Sequence, residues 1–597
     1  KAVPGSAPKA AAAARRLAKA IIAAATDTYR LQAGDSASTP RFWNLPVASN
    51  FAAMLAATAC VNALNARQRD GLGQHIEVAL FDAMFTAIGA RGMQMPSAAD
   101  MPLDFTGFGV YECQDGRYVH FAPVAPRFMD WFVAAAGVGQ WASEGLLDRA
   151  VLSTCVETAL RLRSKLTDLF KTRTAMAWES VAENAGVPLS VCRTTAEWSD
   201  TAHAVSSQSV VSVNDFEYGE MKQPGIPIRL SVSKEHIQGP RHLPDADRAS
   251  IVANLLQPGT RGIRHANVKA CPTCTDPALK GVRVLDLTQI WAGPTAARAL
   301  AEFGADVIKI NSPHEPIMSH CDVNRGKQSI FLDLKDPKDM DVFRQLVKSA
   351  DVVMQNFRHG VAERLGMGYQ DLIRIKPEII YASVSTFGYD GPWCDRRGYE
   401  VQAQAAAGAQ VDFGWPDQPA RLPYEINDYG TGVLTAFGLS LALLHHKRTG
   451  QGQQVSGALG YTATLHQSLR FAQMAQAYCE SSAAVNTLGM HSLYRLYQAR
   501  DQWFFFVLER ASVLRLQQAL DLPVLDTLSD ADQQDLLAHT FGQQALDHWV
   551  DRLRVCDAAV HRLVAVQELM SDPWVVERGL SLTRDHKNIG LVRTIGP

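Results

Sequence analysis

GVRVLDLTQIWAGPTAARALAEFGADVIKI, residues 281–310, decides the fold. VRVLDLT (282–288) is a strand-like apolar run, and WAGP turns the chain after it. TAARALAEFG follows as a helix of strong formers, with Gly304 a natural cap at its end, and ADVIKI (305–310) reads as a second strand. Beyond it, SIFLDL (329–334), ADVVMQNF (350–357) and EIIYASVS (378–385) read as further strands, with helical DPKDMDVFRQLVKS between two of them. Strand, helix, strand at this spacing predicts an α/β fold with a Rossmann-like parallel sheet and right-handed crossovers. No G-x-G-x-x-G follows the first strand, so dinucleotide binding has no support.

The chain also repeats itself. PYEINDYGTGVLTAFGLSLALLHHKRTGQGQQV (423–455) sets Asp428 just before a Gly-Thr-Gly break that should open a long apolar helix. That helix closes on a basic turn (Lys447, Arg448, Gly450, Gly452) and leads into a strand. NLPVASNFAAMLAATACVNALNARQRDGLGQHIEV (44–78) has the same shape, and aligning Arg69 with Arg448 puts Ser49 opposite Asp428. YECQDGRYVHF (111–121) then pairs with YQARDQWFFFV (497–507), and KQPGIP (222–227) loosely with RTIGP (593–597). Three weak matches in one order make a partial duplication.

The expected organisation follows. Residues 1–43 form an N-terminal helical segment, and 44–256 a degenerate copy of the second half of the fold. Residues 257–278 are a Gly-, Pro- and Thr-rich linker. Residues 279–597 are the fuller copy, a core at about 279–465 and a smaller α+β domain at about 490–597. The second copy stops at Pro597 while the first runs on to 256, so the tail 229–256 is expected to return to the second copy's core.

Composition narrows the function. Hydrophobic residues make up 47% and charged residues 20%, ordinary for a globular chain, and the formal net charge of −2 gives no global argument for nucleic acid or anionic membrane. No apolar run is read as reaching the ~20 residues that span a bilayer. The Ala-rich, basic PKAAAARRLAKAIIAAATDTYR is read as an amphipathic domain helix rather than a targeting peptide. Ten cysteines are scattered, and their one close pair, Cys271 and Cys274, supplies half the ligands of a structural zinc. No metal is expected, and a reducing cytoplasm suits the pattern.

Taken together, GVRVLDLTQIWAGPTAARALAEFGADVIKI, NRGKQSIFLDLK, ADVVMQNFRHGVAERLGMGY and Asp428 with HHKRTGQGQQV resemble a family III CoA-transferase. That group includes formyl-CoA and carnitine CoA-transferases and is related to α-methylacyl-CoA racemase. The resemblance implies that Asp428 is a nucleophile, attacking an acyl-CoA thioester and passing CoA to a carboxylic acid. It implies coenzyme contacts from Asn356, Phe357, Arg358, Arg364 and Arg397, with Trp291 and Tyr399 beside them. Asn324, Arg325, Gly326 and Lys327 match a family motif, although a turn before a strand accounts for them nearly as well. Gly430 and Gly432 are expected to let the thioester approach and to leave N–H groups free for an oxyanion.

The departures matter too. Asn311 and Gln355 stand where most members carry Glu, and Trp291 where formyl-CoA transferase has Gln, so formyl and oxalyl substrates are disfavoured. The Gly-His-Asp segment of the racemases is here Gly398, Tyr399 and Glu400, which removes the second acid/base and leaves Glu400 as a polar partner in the site or simply a helix-start residue. Ser49 cannot form the anhydride, and Glu77 and Asp82 are placed on the strand after the first long helix. The first copy is therefore read as packing surface, making an intramolecular pseudo-dimer or a homodimer. The two-copy plan is similar to fused dimethylsulfoniopropionate CoA-transferase/lyases. Two alternatives stay open: a racemase-like or transferase–lyase enzyme, betrayed by α-proton exchange or an unsaturated product, and a non-catalytic CoA-binding scaffold, which would bind coenzyme without thioester exchange.

Overall fold

The computed structural model describes residues 19–30, 39–95, 107–255, 276–314, 321–414, 418–476, 487–522, 525–587 and 590–596. The linker and the Cys271–Cys274 pair lie almost entirely outside them. The first copy opens with helix α1 (Val47–Asp70), closed by Gly71 at φ +74°. Its small domain follows: β1 (Gly109–Glu112), β2 (Tyr118–Phe121) and β3 (Leu189–Val191) form an antiparallel sheet around buried Phe121, Phe132, Phe170 and Trp178. Hairpin β4 (Val210–Asp215) and β5 (Gly219–Pro224) comes next, then the short β6 (Ile228–Leu230).

The second copy supplies β7 (Arg283–Asp286), β8 (Asp306–Asn311), β9 (Gln328–Phe331), β10 (Val352–Gln355), β11 (Ile380–Ser385) and β12 (Gln454–Ala458). These run parallel, in the order β12-β11-β10-β7-β8-β9. Helix α2 (Ala292–Glu302) and helix α3 (Ile426–Thr449) cover one face with Ala296, Leu300, Leu439 and Leu443. Phe343 and Val347 of helix Pro337–Ser349 cover the other. Every residue of β10 is buried, which is why ADVVMQNF reads as a continuous apolar run rather than an alternating one. The expected α/β class with a Rossmann-like sheet is what the chain adopts.

One edge of this sheet comes from the first copy. β6 pairs antiparallel with β12 (Val455↔Leu230), and Gln453 Oε1 accepts the N–H groups of Val232 (3.2 Å) and Ser233 (3.0 Å). The tail after the first copy thus returns to the second copy's core through residues 228–233, while helix Arg248–Leu255 lies exposed.

The second small domain repeats the first. β13 (Gly489–His491), β14 (Tyr494–Gln498), β15 (Trp503–Val507) and β16 (Ala559–Arg562) form its antiparallel sheet, and β17 (Ser581–His586) with β18 (Gly590–Ile595) its hairpin. Buried details recur at matched places. Trp178 Nε1 donates to Phe170 O at 2.9 Å and Trp549 Nε1 to Phe541 O at 3.0 Å. α1 and α3 are each 24 residues long, with near-identical cap angles of −82°/56° at Pro46 and −84°/58° at Glu425. The two helices pack together: Asn65 Nδ2 donates to Ser440 O at 2.9 Å.

Three expectations need correction. Residues 71–79 form no strand, because the first copy has no parallel sheet among the described residues for them to join; Glu77 lies in irregular chain and Asp82 in helix Leu80–Ile88, paired with Arg578 at 2.6 Å. α1 is, by length and composition, apolar enough to cross a membrane, with a mean hydropathy of 1.5. Its buried Asn62 and Asn65 and its seat against α3 mark a helix of the interface between copies instead. Gly430 and Gly432 break nothing: both lie inside α3, which starts at Ile426.

Candidate active site

Asp428 is the third residue of α3, in the turn where free N–H groups favour an anion. It is 5% exposed. The backbone N–H of Ala292, first residue of α2, faces its carboxylate and favours the charged form. What lets the two helix starts meet is Gly432. A Cβ there would lie 2.5 Å from Thr295 Cβ and 2.8 Å from the Ala292 carbonyl oxygen. Gly430 is also closely packed, with Thr462 Cγ2 2.8 Å and His466 Nε2 3.1 Å from a Cβ. The glycines therefore serve helix packing, and their amides belong to the helix rather than to an open oxyanion site.

Glu400, buried at the start of helix Glu400–Ala406, holds the turn that carries Asp428. Its Oε2 accepts the Asp428 N–H at 2.6 Å. Its Oε1 accepts Asn427 Nδ2 and Gln404 Nε2, each at 2.8 Å, and the Asn427 N–H at 3.2 Å. Burial raises the Glu400 carboxyl from its usual 4.5 to about 7, and the Glu425 charge adds to this against those hydrogen bonds. Burial also pushes Asp428 well above the ordinary carboxylate range, reinforced by Glu400 and Glu425 and opposed by Arg421 and the Ala292 N–H. The donors aimed at Glu400 oppose the rise that burial imposes on it.

Glu425, 1% exposed, caps this cluster between two guanidiniums. Arg421 Nη2 lies 2.5 Å and Arg91 Nη2 2.9 Å from its Oε1. Arg91 belongs to the first copy, as does Phe108, whose ring centroid lies 5.4 Å from the Arg421 guanidinium. Gly89, at φ +49°, lets the same turn approach Tyr429, whose hydroxyl accepts the Ala90 N–H at 2.6 Å and donates to Asp322 Oδ2 at 2.7 Å.

The other sequence-derived residues fall into three groups. Trp291 immediately precedes Ala292 and packs on the cluster that holds Phe413 and Tyr424. Asn356 spends its amide on the backbone of Gln289, with Oδ1 to N and Nδ2 to O both 2.8 Å, and so fixes the loop leading to Trp291. The Phe357 N–H donates to Gln355 Oε1 at 2.6 Å, and its ring packs beneath the sheet.

The second group is cationic. The Arg397 guanidinium sits 5.2 Å from the centre of the Phe128 ring and 4.8 Å from that of Trp131, both on the first small domain. Arg127 lies over the same Phe128 ring at 5.3 Å. Burial lowers the Arg397 pKa, and the neighbouring charges of Arg358 and Arg127 lower it further. Tyr399, beside them, is raised by burial against the pull of Arg127 and Arg397. Arg364 is exposed at the end of helix Val361–Arg364. Among the described residues none of Arg127, Arg358, Arg364 and Arg397 has a carboxylate within ion-pair distance.

The third group is structural. Lys327 Nζ meets Asp286 Oδ2 at 2.8 Å, Pro294 O at 2.9 Å and Asn324 Oδ1 at 3.1 Å. Burial lowers Lys327 to about 8. Asp286 is held near 2 because Lys309 and Lys327 outweigh its burial. Arg325 binds Glu302 and the carbonyls of Ile595 and Gly596, tying the last hairpin to the core. Lys309, Arg325, Lys327 and Arg584 line a cavity of about 460 Å³ beyond the ends of β7–β9, which neither Asp428 nor Glu400 lines.

His359, Cys394 and Asp395 bring donor atoms within 4.8 Å of one another, but the residues at Asp428 offer only carboxylates and amides. Sequence reasoning missed Glu425, Arg421, Arg91 and Arg127. The spacing of Arg421 and Glu425, four apart, was the one local signal; Arg91 meets Glu425 across 334 positions, and Arg127 reaches Arg397 from the other copy.

The family model described as CoA-transferase family III matches residues 8–248 and 279–596. The chain is similar to the succinate–glutarate CoA-transferase of Agrobacterium fabrum, 36% identical over 204 residues, or 31% of this chain and 51% of that protein. It is 23% identical to the CoA-transferase/lyase DddD of a Marinomonas species over 598 residues, 89% of this chain and 70% of that protein. With the formyl-CoA:oxalate CoA-transferase of Afipia carboxidovorans it shares 38% identity over 197 residues, 30% of this chain and 46% of that protein. The chain spans about half the length of the first and third of these relatives.

Proposed function

The chain belongs to CoA-transferase family III, and from that premise we propose that it moves CoA between an acyl-CoA thioester and a carboxylic acid with Asp428 as nucleophile. The observation that carries this is the meeting of the starts of α2 and α3 on one buried carboxylate. In the proposed sequence an Asp428 oxygen attacks the thioester carbon, the C–S bond breaks, and CoA leaves as thiolate. The thiolate then attacks the aspartyl carbonyl of the mixed anhydride, releasing the first acid and leaving an aspartyl-CoA thioester. A second carboxylate reverses the two steps and carries CoA away. The Ala292 N–H, which favours the charged carboxylate, bears on the oxyanion of each step.

Arg358, Arg364 and Arg397 supply charge for the coenzyme's phosphates, and Arg127 of the first copy stands with them. Arg127, Arg358 and Arg397, without a carboxylate at ion-pair distance among the described residues, repel one another unless an anion joins them. The first copy, with Ser49 in place of a nucleophile, acts as the non-reacting half of an internal pseudo-dimer. With Asp428 only 5% exposed, the form described is a closed one, and acyl-CoA has to part the walls of the site before reacting.

The test is thioester exchange: the protein is incubated with acetyl-CoA or succinyl-CoA and acetate, succinate or glutarate, and the products are separated. New acyl-CoA at constant total thioester supports the reading; net hydrolysis alone, or binding without exchange, counts against it. The 89% coverage in the match to a transferase/lyase favours a second reading, in which elimination follows transfer. An unsaturated product from a substrate with a β leaving group would identify it.

A further inference from the structure

We infer that Arg421 is the residue that binds the carboxylate of the acid substrate, held ready by a scaffold drawn from both copies. The inference rests on the transferase reading above. The charge of Arg421 is felt by Asp428, and Arg421 in turn feels Glu400. Its fork carries five N–H donors. Among the described residues it makes one hydrogen bond, to Glu425, and its Nε is buried with no partner. Its side chain keeps 29% of its surface open, so the outer edge of the fork is presented for a ligand. Phe108 backs the guanidinium plane at 5.4 Å, which fixes its tilt.

Charge accounting gives the ligand its sign. Arg91 and Arg421 share a single firmly paired carboxylate, Glu425. While Asp428 is free it draws on Arg421. Once Asp428 is acylated it carries no charge, and the attraction it exerted on Arg421 is lost. A carboxylate is the anion the chemistry then requires. Arg421 aligns that acid as its oxygen attacks the aspartyl carbonyl of the CoA thioester. A C–O bond forms, the C–S bond breaks, and the negative charge passes from the acid to the leaving thiolate. Arg421 is thus a determinant of the acid, not of the coenzyme.

The experiment uses the full chain with succinyl-CoA and with acetate, succinate and glutarate as acceptors. It compares wild type, Arg421→Lys and Arg421→Gln. Losing a charged hydrogen-bonded partner predicts an increase of roughly 10- to 100-fold in the acid KM for Arg421→Gln. The succinyl-CoA KM should stay within about twofold, because the guanidinium is assigned to the acid. Arg421→Lys keeps the charge and the Glu425 pair but not the fork, so its acid KM should fall between the two. Hydroxylamine trapping at Asp428 in the absence of acid should persist in both variants.

An unchanged acid KM overturns the inference. So does a parallel loss of acid KM, succinyl-CoA KM, trapping and thermal stability, which would mark Arg421 as structural support for Glu425. Absence of trapping and exchange in the wild type would overturn the transferase reading along with it.

Discussion

Glu400→Gln removes the buried carboxylate that accepts the Asp428 N–H at 2.6 Å and repels the Asp428 charge. Raising this carboxyl from 4.5 to about 7 makes its ionisation harder in the folded chain than in the unfolded one. Below pH 4.5 both states hold the proton and Glu400 adds no slope. Between 4.5 and about 7 the unfolded chain releases it while the folded chain retains it, so stability falls as pH rises. Above 7 the loss is complete, at about 3 kcal/mol. Part of that value belongs to Asp428, since the two carboxyls titrate together.

Urea unfolding of wild type and Glu400→Gln at matched ionic strength from pH 4.5 to 8 reads the contribution of this pair, because groups remote from it cancel. The stability of wild type minus that of the variant should fall by about 3 kcal/mol across the range. Exchange activity gives a second readout. Asp428 attacks only as carboxylate, so the wild-type rate should climb with pH toward the raised Asp428 value. Without the Glu400 charge that climb should begin at lower pH. A flat stability difference together with an unmoved rate profile would refute the coupling.

Other consequences follow from the same geometry. Gly432→Ala puts a methyl 2.5 Å from Thr295 Cβ and 2.8 Å from the Ala292 carbonyl. It should cost about 1–3 kcal/mol in thermal unfolding and lower kcat more than it raises KM, because the Ala292 N–H is displaced from Asp428. Arg397→Ala should weaken binding of free CoA by about tenfold, seen by titration of tryptophan fluorescence, and reduce its salt dependence. Binding that is unaffected by the substitution would remove Arg397 from the coenzyme site.

Much of this was legible in the residues. The core strands announce themselves because parallel strands buried on both faces need unbroken apolar runs, as at Val352–Gln355. α1 and α3 were visible through matched ends, and Asp428 through its place at the start of the second. β6 was not readable as a strand, since three residues carry no period; only the counting of incomplete copies pointed to it.

The glycines after Asp428 were misread for a physical reason. Glycine ordinarily weakens a helix, but here the approach of Thr295 and Ala292 outweighs propensity. Asn324–Lys327 matched a functional motif and proved to be the anchor of a buried ion network around Asp286. Glu425 gained meaning only when Arg91, 334 positions earlier, arrived beside it.

The central claim is that Asp428 takes the acyl group. Protein turned over with succinyl-CoA, quenched with hydroxylamine and digested should yield a hydroxamate on the peptide containing Asp428, and Asp428→Asn should give none while keeping its fold. A normally exchanging Asp428→Asn variant, or a hydroxamate on another carboxylate, would contradict the account.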